Sequence, residues 1–152
     1  MFVFQSAFYT LRKFAQFSGR ASRSEFWCFL LFVILAQALA RVVDMLLGSG
    51  GYLLGPVSSL TGLLLIVPQV AVAVRRLHDL GRSGRELVVP AVMLAAAPLV
   101  MSLGGLLPRL VALGYAGLTL LVFANLLLLF LKEGKRVPNR YGGSPTAFSF
   151  AG

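Results

Sequence analysis

The sequence is poor in the residues on which metal binding and most enzymatic chemistry depend. Its 152 residues include one cysteine, Cys28, and one histidine, His78. A single cysteine excludes an intrachain disulfide, and one residue of each kind leaves too few ligands for an ordinary zinc site. The sequence has neither a G-x-S-x-G pattern nor a phosphate-binding P-loop. We therefore expect no metal site and no cofactor.

Charged residues are also scarce, at 12%, whereas hydrophobic residues make up 58% and the mean hydropathy is +0.86. A soluble domain would be nearer half apolar, so the composition predicts a single integral membrane domain. The net charge is +9, from fourteen basic and five acidic residues. Because the bases cluster beside apolar runs, we expect anionic membrane lipids as partners, and no nucleic acid.

Four apolar segments are each close to the ~20 residues that a helix needs to cross a bilayer. They cover about residues 25–47, 53–74, 87–107 and 110–131. Backbone groups in hydrocarbon must be satisfied within the segment, so helix is the expected form. The predicted fold is an all-α integral membrane protein with four transmembrane helices in two hairpins. The third segment is the weakest, because Pro98, Gly104 and Gly105 interrupt it; a kinked span and a re-entrant hairpin stay open.

The basic residues predict the orientation. Twelve of the fourteen flank the apolar segments on one side: Arg12, Lys13, Arg20, Arg23, Arg75, Arg76, Arg82, Arg85, Lys132, Lys135, Arg136 and Arg140. The positive-inside rule then places both termini and the middle loop in the cytoplasm. Residues 1–17 have an apolar and a polar face at helical spacing, which predicts an amphipathic helix in the membrane interface, or one packed on the protein's own loops. Residues 18–142 form the predicted transmembrane domain, and 143–152 a loose tail.

Two similar stretches open the two hairpins. GRASRSE at residues 19–25 and GRSGRE at 81–86 share G-R-x-x-R and place S-x-x-E before an apolar run. This spacing is the capping-box pattern, in which a serine accepts a hydrogen bond from a first-turn N–H and a glutamate reaches back to the cap residue. We therefore predict helix caps at Ser22 with Glu25 and at Ser83 with Glu86.

Three stretches carry a family resemblance: FSGRASRSEFW at residues 17–27, VRRLHDLGRSG at 74–84 and VPNRYG at 137–142. In order, spacing and relation to the apolar segments they resemble the signatures of the DUF805 family of small bacterial inner-membrane proteins. The chain departs from that pattern where Arg85 and Glu86 follow Gly84, since an aromatic residue commonly stands there. The resemblance implies a multi-pass protein of the bacterial inner membrane and implies no activity.

All three stretches are predicted on the cytoplasmic side, where they could converge on one basic surface that binds an anionic lipid headgroup or an acidic partner. The candidate residues are Arg20, Arg23, Arg75, Arg76, His78, Asp79, Arg82, Ser83, Asn139 and Arg140. Arginine suits this role because its guanidinium binds phosphate and carboxylate in a bidentate manner.

Two other functions are left open. Polar residues within the spans can mark a transport path through a homo-oligomer, or simply join helices. These intramembrane residues are Arg41, Asp44, Gln69 and Asn125. An enzyme acting on lipid headgroups would use His78 and Asp79. Adjacent helical side chains point about 100° apart, so Asp79 is poorly placed to orient His78. The alternative interpretation is a helix end at which His78 bonds free carbonyls, Asp79 pairs with an arginine and Gly81 stops the helix.

Overall fold

The computed structural model describes residues 10–48, 55–102, 106–134 and 137–143. Within these ranges the regular structure is helical: α1 at Arg23–Leu46, α2 at Pro56–Asp79, a 3-10 turn at Gly84–Leu87, α3 at Val88–Ser102 and α4 at Leu106–Leu131. One isolated β-bridge joins Asn139 and Gly142 in the C-terminal loop. The prediction of an all-α chain is confirmed for this part of it.

Among the described residues, three helices are long and apolar enough to cross a membrane: α1, α2 and the stretch Arg109–Leu131 of α4. The third predicted segment contains a shorter helix, because α3 has 15 residues and a bilayer core requires about 20. Pro98 lies inside α3 without ending it. By length and composition this part of the chain has three candidate spans, and α3 is shorter than a straight crossing requires.

The predicted interfacial helix lies mostly outside the described residues, since 1–9 are not among them. Residues 10–12 are helical and 13–15 form a turn. The predicted loose tail also lies outside the described residues from 144 onwards. The helix and tail predictions remain predictions.

The helices pack as two hairpins, α1 against α2 and α3 against α4. A polar contact joins the first pair. The Gln37 amide of α1 lies between Ser58 O and Gly62 N, and with its nitrogen turned towards the carbonyl it hydrogen-bonds to both at 3.2 Å. At the same end of this hairpin, Asp44 accepts hydrogen bonds from the N–H groups of Val57 (2.9 Å) and Ser58 (2.8 Å). Asp44 therefore caps the positive end of α2, where the first-turn N–H groups lack helical partners.

The two hairpins meet through a small apolar core at one end. Phe26 and Phe29 of α1, Leu77 of α2 and Phe130 of α4 are all buried there, and the rings of Phe26 and Phe130 are 4.5 Å apart. Elsewhere the helices expose large apolar side chains, such as Leu63 at 75% and Leu120 at 71%. These exposed faces are what a lipid environment would cover.

Local sequence signals fix the start of α1 and the end of α2. Ser22 Oγ accepts the Glu25 N–H at 3.1 Å, which caps α1 as predicted. At the end of α2, Gly81 has a φ of 77°, a conformation that L side chains rarely adopt. The Arg82 N–H donates to Leu77 O at 2.9 Å and the Gly81 N–H to His78 O at 3.0 Å. This pair of bonds is the Schellman motif, so the predicted glycine stop is confirmed.

Candidate functional site

The three signature stretches converge in space at the end of the molecule where α1 begins and where α2 and α4 end. We call this region, with the loop 137–143, the basic end. Three contacts establish it: Arg20 pairs with Asp79 at 2.8 Å, Asn139 Nδ2 donates to His78 O at 2.9 Å, and the Ala21 N–H donates to Arg75 O at 3.0 Å. These partners are more than fifty residues apart in sequence.

Asp79 lies at the centre of a buried cluster of charge. Its Oδ1 accepts from Arg20 Nε at 2.9 Å, and its Oδ2 pairs with Arg76 Nη1. The side chains of Arg20, Arg76 and Asp79 are 1%, 0% and 3% exposed. The cluster holds two cations and one anion in a region from which water is excluded, so further acceptors must stabilise the second guanidinium.

Those acceptors are backbone carbonyls at the end of α4 and in the C-terminal loop. Arg76 Nη2 donates to Phe130 O at 3.1 Å and also to Lys132 O. Arg20 Nη1 donates to Val137 O at 3.1 Å. The last carbonyls of a helix have no helical partner and carry its negative dipole end, so arginines from the other hairpin satisfy them. The cluster therefore ties α4 and the loop to the first hairpin.

A second buried ion pair joins α1 and α2. Arg75 Nη1 lies 2.9 Å from Glu25 Oε1, with the two side chains 2% and 6% exposed. Thr10 Oγ1 lies 3.5 Å from the same oxygen. The Nε and Nη2 groups of Arg75 are buried and make no hydrogen bond in the described part of the molecule. Glu25 therefore does not complete the predicted capping box: its side chain neutralises Arg75 instead of returning to the Ser22 N–H.

The predicted second cap also differs from the structure. Ser83 Oγ accepts the Arg85 N–H at 3.3 Å, so Ser83 caps the 3-10 turn as a serine is expected to do. Glu86, however, pairs with Arg82 at 2.8 Å across i,i+4 rather than reaching back to the cap. Both predicted glutamates accept from arginines, because a charged guanidinium is a stronger donor to a carboxylate than a single backbone N–H.

His78 and Asp79 do not form a catalytic dyad. His78 Nδ1 lies 3.2 Å from Gly19 O, and the imidazole stacks on the ring of Tyr141 with centroids 3.8 Å apart. Asp79 is directed to the arginines, as the alternative interpretation predicts. Among the described residues, no group of three His, Cys, Asp or Glu side chains could hold a metal ion. The geometry here serves packing and charge neutralisation.

The predicted binding residues thus divide by burial. Arg20, Arg75, Arg76 and Asp79 lie inside the ion pairs, whereas Arg23, Arg82 and Arg140 are exposed. Arg23 donates to Leu131 O at 3.2 Å and pairs with Glu133 at 3.0 Å. Further exposed bases at the same end belong to the predicted basic flanks: Arg12, Arg85 and Lys132. A free anion would therefore meet this outer set before the buried one.

Sequence reasoning missed Gly134, and it placed Tyr141 among the converging residues without assigning it a partner. A Cβ at Gly134 would lie 1.8 Å from Asp79 Oδ2, so only glycine lets the chain after α4 pass over the carboxylate. Tyr141 stacks on His78 and lies 4.8 Å beneath the guanidinium of Arg140. The tyrosine lies in the VPNRYG stretch, so its place in a family signature already indicated a role at this end. Gly134 has no such signal, because its neighbour Asp79 is remote in sequence.

The intramembrane polar residues do not form one group. Asp44 is a buried helix cap and Arg41 is half-buried on the same helix. Gln69 Oε1 is buried without a hydrogen-bond partner among the described residues, and Asn125 is exposed on α4. No described contact connects these four residues into a path across the helices, and transport stays a prediction.

Comparison with known proteins agrees with the resemblance in the three stretches. The model of the family described as "Protein of unknown function (DUF805)" matches residues 14–143, which contain all three. The chain is 33% identical over 135 residues to the inner membrane protein YhaI of Escherichia coli (strain K12), covering 89% of this chain and 90% of that relative. Inner membrane protein YhaH of the same organism is 38% identical over 76 residues, 48% of this chain and 61% of that relative. No solved structure gives a significant match.

Proposed function

Because this chain belongs to the DUF805 family of proteins of unknown function, we propose a role from its geometry: a multi-pass inner-membrane scaffold whose basic end binds anionic lipid headgroups. The observation that carries the proposal is the distribution of charge. Four of the five acidic side chains, Glu25, Asp79, Glu86 and Glu133, are held in ion pairs. Exposed bases therefore dominate the surface of the basic end.

The path of the chain supports four crossings. Helices α2 and α4 both end at the basic end, so the chain has to return to the far end before α4 begins. The segment from Gly84 to Ser102 makes that return: Val89 and Pro90 lie beside α4 near Leu129, and Leu94 and Ala97 lie beside Tyr115 and Phe123. We infer that α3, extended by the 3-10 turn, is a short fourth span. The positive-inside rule then makes the basic end cytoplasmic.

The buried ion pairs suit a scaffold better than an open binding pocket. Arg20, Arg75 and Arg76 have carboxylate partners, so an incoming phosphate would have to displace them at a cost of several kcal/mol. Arg85, Lys132 and Arg140 are exposed and meet no such cost. Each basic residue near an anionic membrane surface contributes about 1 kcal/mol of attraction. The outer bases therefore supply the affinity, and the buried pairs hold the helix ends that position them.

The test removes three outer charges and measures lipid retention. The variant Arg85→Gln/Lys132→Gln/Arg140→Gln is purified into nanodiscs of phosphatidylcholine and phosphatidylglycerol, and the lipid retained after gel filtration is measured by mass spectrometry. We expect the wild-type preference for phosphatidylglycerol to fall about a hundredfold, from a loss of about 3 kcal/mol. The matched control is Arg109→Gln, which removes an exposed arginine from the opposite end of α4. Equal retention by the triple variant and the control would refute the proposal.

A further inference from the structure

A small crevice opens between the start of α3 and the end of α4, beside the basic end. Its volume is about 100 Å³, and its lining is part polar and part apolar. Arg82, Glu86 and Asn125 supply the polar groups, and Val89, Val122 and Leu126 the apolar walls. The three bases that supply the proposed affinity for anionic lipid, Arg85, Lys132 and Arg140, do not line this crevice.

We propose that this crevice binds the headgroup of an aminophospholipid, with the phosphate on Arg82, the ammonium on Glu86 and an ester carbonyl on Asn125. The inference deepens the proposed function and rests on its membrane orientation. It adds a second, chemically distinct lipid site to the exposed bases, and it names a zwitterionic ligand where they favour an anionic one.

The ion pair at the mouth of the crevice, Arg82 with Glu86, offers one positive group for the lipid phosphate and one negative group for the lipid ammonium. It joins one nitrogen of Arg82 to one oxygen of Glu86 at 2.8 Å, so the other guanidinium N–H groups and Glu86 Oε1 remain for a ligand. A phosphate accepts from a guanidinium, and a primary ammonium donates to a carboxylate, through charge-assisted hydrogen bonds. Both side chains are partly exposed, at 50% and 37%, so the headgroup can reach them.

Asn125 indicates that the ligand is a lipid rather than a free phosphate. It lies six residues before the end of α4 at Leu131, which places it about 9 Å further into the membrane at a rise of about 1.5 Å per residue. A polar side chain exposed at that depth is costly unless it is hydrogen-bonded, and Asn125 has no such bond among the described residues. The ester groups of a phospholipid lie just below its phosphate, and their carbonyls can accept from the amide.

The experiment compares three lipids that differ only in the headgroup. Wild-type protein is equilibrated in nanodiscs with equal parts phosphatidylethanolamine, phosphatidylcholine and phosphatidylglycerol, and the retained lipids are counted by mass spectrometry. We expect the ethanolamine lipid to be retained about tenfold more than the choline lipid, because a trimethylated ammonium has no N–H to donate to Glu86. One charge-assisted hydrogen bond accounts for about this factor in affinity. Equal retention of the two would overturn the proposal.

Variants separate this site from the outer bases. Glu86→Gln should abolish most of the ethanolamine-over-choline preference and keep the phosphatidylglycerol preference. Asn125→Leu removes a contact with the ester carbonyl that both lipids share, so it should lower the retention of both at the crevice. Arg85→Gln, which removes a neighbouring exposed charge outside the crevice, should lower the phosphatidylglycerol preference about fivefold and keep the ethanolamine-over-choline preference. A wild-type protein that shows the ethanolamine-over-choline preference but no phosphatidylglycerol preference would contradict the proposed function and leave the crevice assignment standing. An unchanged headgroup preference in Glu86→Gln would refute the crevice assignment even if Asn125→Leu fails to fold.

Discussion

The buried cluster makes a strong prediction for Asp79. In Asp79→Asn the carboxylate that serves both Arg20 and Arg76 is replaced by a neutral amide of the same shape. The three side chains are 3% exposed or less, so solvent does not screen the two cations. Removing one partner of a buried ion pair costs about 3–5 kcal/mol. We expect the low end, about 3 kcal/mol, because backbone carbonyls of Phe130 and Val137 still accept from the arginines.

The free energy of unfolding can be measured by titration with sodium dodecyl sulfate in mixed micelles. Trp27, the single tryptophan, is a suitable reporter because its ring packs edge-on to Phe26 at 5.3 Å, against the core at the basic end. The matched control is Glu133→Gln, which breaks the exposed pair with Arg23 (67% and 48% exposed) and should leave stability unchanged. If Asp79→Asn unfolds at the same sodium dodecyl sulfate fraction as the control, the buried cluster does not stabilise the fold and our reasoning is wrong.

Two further predictions follow from the same end of the molecule. Gly134→Ala should destabilise the protein strongly in the same titration, because its Cβ would lie 1.8 Å from Asp79 Oδ2, whereas Gly143→Ala has nothing within 4 Å and should be neutral. In a Cys28→Ser background, Arg109→Cys should react with an impermeant maleimide from outside the cell, and Arg85→Cys only after the membrane is opened. Reaction of both from the same side would exclude a crossing by α3.

The membrane helices were largely predictable, because apolar length is a direct signal of the bilayer. The predicted segment 110–131 ends at the same residue as α4, and 25–47 differs from α1 by two residues or fewer. The end of α2 was missed by five residues, since the prediction stopped at 74 and the helix continues to Asp79. Hydropathy indicates where a helix leaves the hydrocarbon core of the membrane. The helix itself continues until a residue such as Gly81 ends it.

Which arginines are buried and which are exposed could not be predicted from the sequence. A run such as Arg75–Arg76 looks solvent-exposed because the acceptors that bury it are remote: Arg76 Nη2 donates to Phe130 O, 54 positions away. Spacing rules relate side chains on one helix, and they predict the i,i+3 pair of Arg76 with Asp79 but not the carbonyls of α4. The convergence of the three stretches could be anticipated from the sequence, whereas the division between buried and exposed bases depends on contacts between residues far apart in the chain.

The capping of α4 by arginines of the first hairpin has a consequence for biosynthesis. Arg76 is translated 54 residues before the carbonyl it will bind, and ribosomes add about 5–20 residues per second. For about 3–11 s the nascent hairpin therefore carries a guanidinium without its final acceptors, and headgroups or the insertion machinery must solvate it meanwhile. Arrival of the last helix ends that interval, so the order of synthesis makes α4 the segment that completes the fold.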